Sequence, residues 1–152
     1  MTATTGSTST AAATLLTRVG LLILAVQGLL TGAWATVAPR SFYDDFPGFG
    51  LSWVSPDGPY NEHLMRDYGA LNLALGAVAL GAAIWLTRTL VITAAGAWIV
   101  SSIPHIVYHA LNGEAYDTSE HISIVAGLFF APIVAIVVLW SQRGRSDDVG
   151  AG

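Results

Sequence analysis

Cysteine is absent from this chain. That excludes disulfides, thiolate metal sites and iron–sulfur clusters. Lysine is absent too, and all six cationic side chains are arginine. Charged residues make up only 11% of the sequence, where a soluble domain carries about 25%. The net charge of −4 offers no basic patch for nucleic acid. The sequence holds no G-x-S-x-G elbow, P-loop, dinucleotide fingerprint or H-E-x-x-H zincin helix. Any chemistry must therefore come from a less standard constellation of side chains.

What is abundant is apolar sequence, at 53% of residues and a mean hydropathy of +0.59. Four long apolar runs predict an all-α protein, a bundle of four transmembrane helices at about residues 15–37, 62–86, 90–111 and 119–142. The first run reaches about 34 Å as a helix, enough to span a hydrocarbon core. Ala33-Trp34-Ala35 resembles a signal-peptidase site, but the apolar run exceeds the roughly 7–15 residues of a signal core, so it reads as a retained anchor. Residues 1–14, without charge, read as a disordered tail, and 143–152 as a polar C-terminal tail. The third helix is expected to break at Pro104, while Pro132 lies inside the fourth.

Between the first two helices lies a segment with four prolines and six aromatics: Phe42, Tyr43, Phe46, Phe49, Trp53 and Tyr60. It is expected to be a long loop without a helix of its own, with a turn at Pro56-Asp57-Gly58. Its aromatics suit a membrane interface, as a cap packed on the bundle or as a lid over a site. Arg18, Arg88, Arg143 and Arg145 flank one set of helix ends, and Arg40 and Arg66 the other. By the positive-inside rule both termini are cytoplasmic, and the aromatic loop is extracytoplasmic, at the plasma (inner) membrane. Gly28-x-x-x-Gly32, Ala77/Gly81 and Gly127/Ala131 are small-residue pairs that permit close helix approach, within one chain or across a homo-oligomer.

Against this background the four histidines stand out. His63, His105, His109 and His121 all fall in the extracytoplasmic halves of their helices, with Glu62, Asp67 and Glu120 nearby. An ionisable group at membrane depth costs roughly 2.5–3.5 kcal/mol on insertion scales, so something must compensate it. Ser101, Ser102, His105, Tyr108, His109 and Asn112 form one polar stripe at helical spacing. His105 and His109, four apart, project from one face and can hold one metal ion between their rings. His63 and Asp67 share a face in the same way, and the carboxylate could ligate a metal or orient the imidazole. Glu62–Arg66 reads as an i,i+4 ion pair, and Glu120 as a partner of the helix dipole.

Three readings follow. The first is an outward-facing metal site of His105, His109, His63, His121 and Asp67. Nitrogen and oxygen donors without sulfur suit Zn, Fe, Mn or Cu(II). In an enzyme of this kind, metal-activated water would attack a lipidic substrate, with Glu62 or Glu120 as base. The second is a non-catalytic accessory subunit of a larger membrane complex, with the histidines as a hydrogen-bond network. The third is a haem-binding electron carrier, with His105 or His109 paired to a histidine on another helix. The lipid bilayer is the one partner common to all three.

Pro39 just after the first helix, and Arg66-Asp67-Tyr68-Gly69-Ala70-Leu71-Asn72-Leu73-Ala74-Leu75-Gly76 on the second, resemble the small DoxX-like membrane proteins. That resemblance implies a compact four-helix fold and little defined biochemistry. The donor types also resemble those of intramembrane hydrolases of the ceramidase and adiponectin-receptor type, which bind zinc on bundle helices. The resemblance there is of site chemistry, since this chain has too few helices for that fold.

Overall fold

The computed structural model describes residues 5–143. The chain is mostly helical. Its elements are α1 (Thr5–Val37), α2 (Pro39–Asp45), a ribbon of β1 (Pro47–Gly48) and β2 (Leu51–Ser52), a 3-10 turn at Ser55–Asp57, α3 (Glu62–Trp85), α4 (Arg88–Leu111), α5 (Thr118–Leu128) and α6 (Phe130–Ser141). Four helical stretches are long and apolar enough to cross a membrane: Ala11–Val37, Glu62–Trp85, Arg88–Leu111 and Thr118–Ser141. The helix α1 already runs from Thr5, so the end of the expected N-terminal tail is helical. Residues 1–4 of that tail, and 144–152 of the C-terminal one, lie outside the described residues.

Helix boundaries follow local chemistry. Asn61 caps α3 by accepting from the Leu64 amide at 3.1 Å. A capping box starts α5: the Glu120 amide donates to Asp117 Oδ1 at 2.9 Å, and the Asp117 amide to Glu120 Oε2 at 3.4 Å. The prolines reverse their expected roles. The helix α4 runs unbroken through Pro104, whereas the last span is interrupted between Leu128 and Phe130. Pro132 cannot donate to the Leu128 carbonyl four residues back and clashes with it, and Leu128 is where α5 stops. The Phe129 amide turns instead to Ala126 and Gly127 carbonyls, tightening the last turn.

The helices pack in a ring in which α1 neighbours α3, α3 neighbours α4, α4 neighbours α6, and α6 returns to α1. The α1–α3 seam is the tightest. A Cβ at Gly28 would lie 2.8 Å from the Asn72 carbonyl oxygen, and one at Gly32 would lie 2.7 Å from that of Gly69. Across the seam, a Cβ at Gly76 would lie 2.7 Å from the Leu29 amide. The Gly28/Gly32 pair is thus an intramolecular seam, completed by Gly69 and Gly76. The main core joins Leu21 and Leu24 of α1, Ala79 and Ala82 of α3, Val91, Ala95 and Trp98 of α4, and Ala135 and Val138 of α6.

The segment from 38 to 61 is not the helix-free loop expected from its prolines. Pro39 sits at the start of α2, where its missing N–H costs nothing. The pairs Arg40–Asp44 (2.7 Å) and Ser41–Asp45 (3.0 Å) reinforce this short helix. Its Phe42 is buried against Ala35 and Met65, surrounded by Trp34, Phe46, Tyr60 and Tyr68. Ring contacts of 4.7 Å (Phe42–Phe46), 5.6 Å (Phe42–Tyr68) and 5.7 Å (Trp34–Phe42) make this an aromatic cap over the ends of α1 and α3.

Charge divides between the two ends. Among the described residues, the cap end carries Arg40, Arg66 and every carboxylate, eight in all. The opposite, basic end carries Arg18, Arg88 and Arg143 and, among the described residues, no carboxylate.

Candidate functional site

The inward face of α4 changes character along its length. Val91, Ala94, Ala95 and Trp98 are buried in the core. The same stripe continues toward the cap as Ser101, Ser102, His105 and His109, all half-buried, while Ile103, Val107 and Leu111 of the same helix are exposed. The Ser101 and Ser102 hydroxyls both donate to the Trp98 carbonyl, at 3.0 and 2.7 Å. The inward face of α4 is therefore apolar toward the basic end and polar beneath the cap.

Two imidazoles dominate this polar half. The His105 and His109 rings stack with centroids 5.0 Å apart and planes 32° apart. Tyr68 of α3 meets His105 edge-on at 6.1 Å. His109 Nδ1 is buried without a hydrogen-bond partner. From α5, His121 Nε2 donates to the His109 carbonyl oxygen at 2.6 Å. Its ring fills the space that a side chain on Gly113 would need.

The cap supplies the rest of the surroundings. Asp57, in the 3-10 turn, lies within electrostatic reach of His105, His109 and Tyr116. The Tyr116 hydroxyl donates to the Trp53 carbonyl at 2.7 Å. Burial, and then the Asp57 charge, push the Tyr116 phenol up to about 12. The Trp53 indole rests on α5, where a Cβ on Gly127 would lie 3.3 Å from it. The cap is thereby fastened to the α4–α5 connection as well as to α1 and α3. Trp53 Nε1 and Trp98 Nε1 are, like His109 Nδ1, buried polar atoms without partners.

The expected site residues thus separate. His105, His109 and His121 come together. His63 does not join them: its side chain is 87% exposed and its Nε2 lies 3.3 Å from Asp67 Oδ2 on the outer face of α3. Glu62 is held by Arg66 at 2.8 Å, and Arg66 also donates to the Thr36 carbonyl of α1. Glu120 belongs to the capping box, where its amide and the Ser119 hydroxyl hold the Asp117 carboxyl below its ordinary range. Among the described residues, no group of three or more His, Asp or Glu converges closely enough to hold a metal ion. Asp57, Tyr68, Trp53 and Tyr116 are the additions from structure. For Asp57 the sequence signal was the Pro-Asp-Gly turn, which marks a bend and says nothing of what the bend approaches. In comparisons with known proteins, no family model, no curated protein and no solved structure matches the chain.

Proposed function

We propose that the chain is a multi-pass membrane protein that binds a divalent transition metal through His105 and His109 beneath its cap. Four apolar spans support the membrane half of this reading. The excess of arginine at one end, four against two, supports a topology with both termini cytoplasmic and the cap extracytoplasmic.

The observation that carries the metal half is the stacked pair on the inward face, with a buried His109 Nδ1 that no protein group satisfies. A buried polar atom without a partner is uncommon and calls for a ligand, an ion or water. Imidazole donors suit Zn and Cu(II). The Asp57 carboxylate offsets the positive charge such an ion brings, and the ion would complete its shell with water or a second molecule. Because both rings rise from one helix and stack, they cannot bracket a macrocycle, which favours a small ion over haem. Glu62 and Glu120, the carboxylates expected as bases, are engaged with Arg66 and the α5 cap. The reading is accordingly of a binding site.

Elemental analysis of detergent-purified protein, dialysed against Zn or Cu(II), tests it. Stoichiometric metal is expected in the parent and in His63→Ala, and its loss in His105→Ala/His109→Ala. Metal-free protein, or loss that is equal in all variants, contradicts it.

A second reading rests on a separate observation. Phe49 is fully exposed at the tip of the cap ribbon, with φ +59° between Gly48 and Gly50, both also at positive φ. A bulky residue in that region is strained, and strain of this kind gathers at functional contacts. A role as accessory subunit, with Phe49 as the docking aromatic, accounts for that placement.

A further inference from the structure

The basic end of the bundle holds features that the histidine site does not use. Here α6 and the residues after it are clasped to α1 by buried polar contacts. The Thr17 and Ser141 hydroxyls lie 2.7 Å apart, and Gln142 Nε2 donates to Thr17 Oγ1 at 2.8 Å. The three residues are all buried, so the clasp is closed to solvent. The chain neighbours of its members, Arg18 and Arg143, lie at this same end of the bundle. Both arginines are exposed.

A groove of about 310 Å³ is lined by Ile136, Val137, Leu139, Trp140 and Arg143. Four of the five residues are apolar, and the one charge, Arg143, stands at the helix end. Trp140 is 61% exposed there. No carboxylate among the described residues shares this end of the molecule.

We infer that this groove is a binding site for an anionic phospholipid. The lipid phosphate would pair with Arg143, with Arg18 adding to the local potential, while an acyl chain lies along Ile136, Val137 and Trp140. Three physical requirements meet here. Guanidinium groups bind phosphate with charge-assisted, bidentate hydrogen bonds. Indole rings favour the headgroup level of the bilayer. An apolar groove on a lipid-facing helix is filled by lipid tails. A soluble phosphate would use only the first of these, and the apolar length of the groove therefore points to lipid. The inference rests on the membrane-spanning half of the proposed function and is independent of the histidine half.

The test uses the full chain in phosphatidylcholine bilayers containing a minor fraction of phosphatidylglycerol, with bromine on the acyl chains of one lipid or the other. Tryptophan quenching is read as the difference between the parent and Trp140→Phe. Trp85, also exposed, at the same end of α3, supplies an unselective reference through Trp85→Phe. Brominated phosphatidylglycerol should quench Trp140 several-fold more than brominated phosphatidylcholine at equal mole fraction, and Trp85 equally with both. Arg143→Gln should lower the preference about fivefold, the effect of one arginine near an anionic surface, and Arg143→Lys should keep most of it. Adding Arg18→Gln should remove what remains. Equal quenching of Trp140 by both lipids, or a preference that survives the double substitution, would overturn the inference. Absence of quenching of both tryptophans by both lipids would overturn the membrane-spanning reading itself.

Discussion

Asp57→Asn removes the carboxylate whose field reaches His105, His109 and Tyr116 while keeping the side chain's size. Metal affinity should fall about tenfold, the lower end of what outer-shell partners contribute. Tyr116 should titrate lower than in the parent, because a nearby negative charge disfavours phenolate and its loss favours it. Absorbance at phenolate wavelengths during alkaline titration, with Tyr116→Phe as blank, measures this shift. An unchanged titration would mean that burial alone sets the phenol. The residue scale is also where the sequence was only partly legible. Helical spacing shows that His105 and His109 share a face, and that His63 and Asp67 share one. It does not say which face turns inward. On α4 the stripe continues a run of buried small residues and leads into the bundle. On α3 the inward face is taken by Met65, Gly69 and Gly76, which leaves His63 and Asp67 outside. Asp57 was not legible at all, since its place depends on how the whole cap folds.

At the scale of elements, the α1–α3 seam governs assembly. Without apolar solvent contrast between helices, close backbone packing is what holds them together. Gly32→Leu puts a side chain where a Cβ alone would lie within 2.7 Å of the Gly69 carbonyl oxygen. Overpacking of this kind costs about 1–3 kcal/mol. Thermal unfolding in detergent should show a lowered midpoint, with Ala77→Leu, on the exposed face of α3, nearly silent. Equal effects at the two positions would remove the seam from its role. The GxxxG motif was readable in the sequence; its partners Gly69 and Gly76 were not, because small residues are scattered through every span. The two prolines show the same limit. Each removes one donor, and the neighbours decide the outcome: Gly127 and the flanking phenylalanines yield at Pro132, while α4 carries Pro104 without interruption.

For the whole molecule, length and hydropathy made the four spans legible, and arginine placement gave the expected orientation. Among the described residues, all eight carboxylates lie at the cap end, and Arg18, Arg88 and Arg143 at the other. The absence of cysteine makes direct mapping possible. Introduced singly, Phe49→Cys in the cap and Thr87→Cys in the α3–α4 turn should react with an impermeant maleimide from opposite sides of the membrane. Labelling of both from the same side would contradict the topology. The most direct examination of the histidine site is pulsed electron paramagnetic resonance of the Cu(II)-loaded protein in bilayers. Nitrogen couplings from two imidazoles are expected, reduced to one in His105→Ala and unaltered in His63→Ala. A spectrum without imidazole coupling, or one that changes with His63 and not with His105, would contradict the binding of metal by the stacked pair.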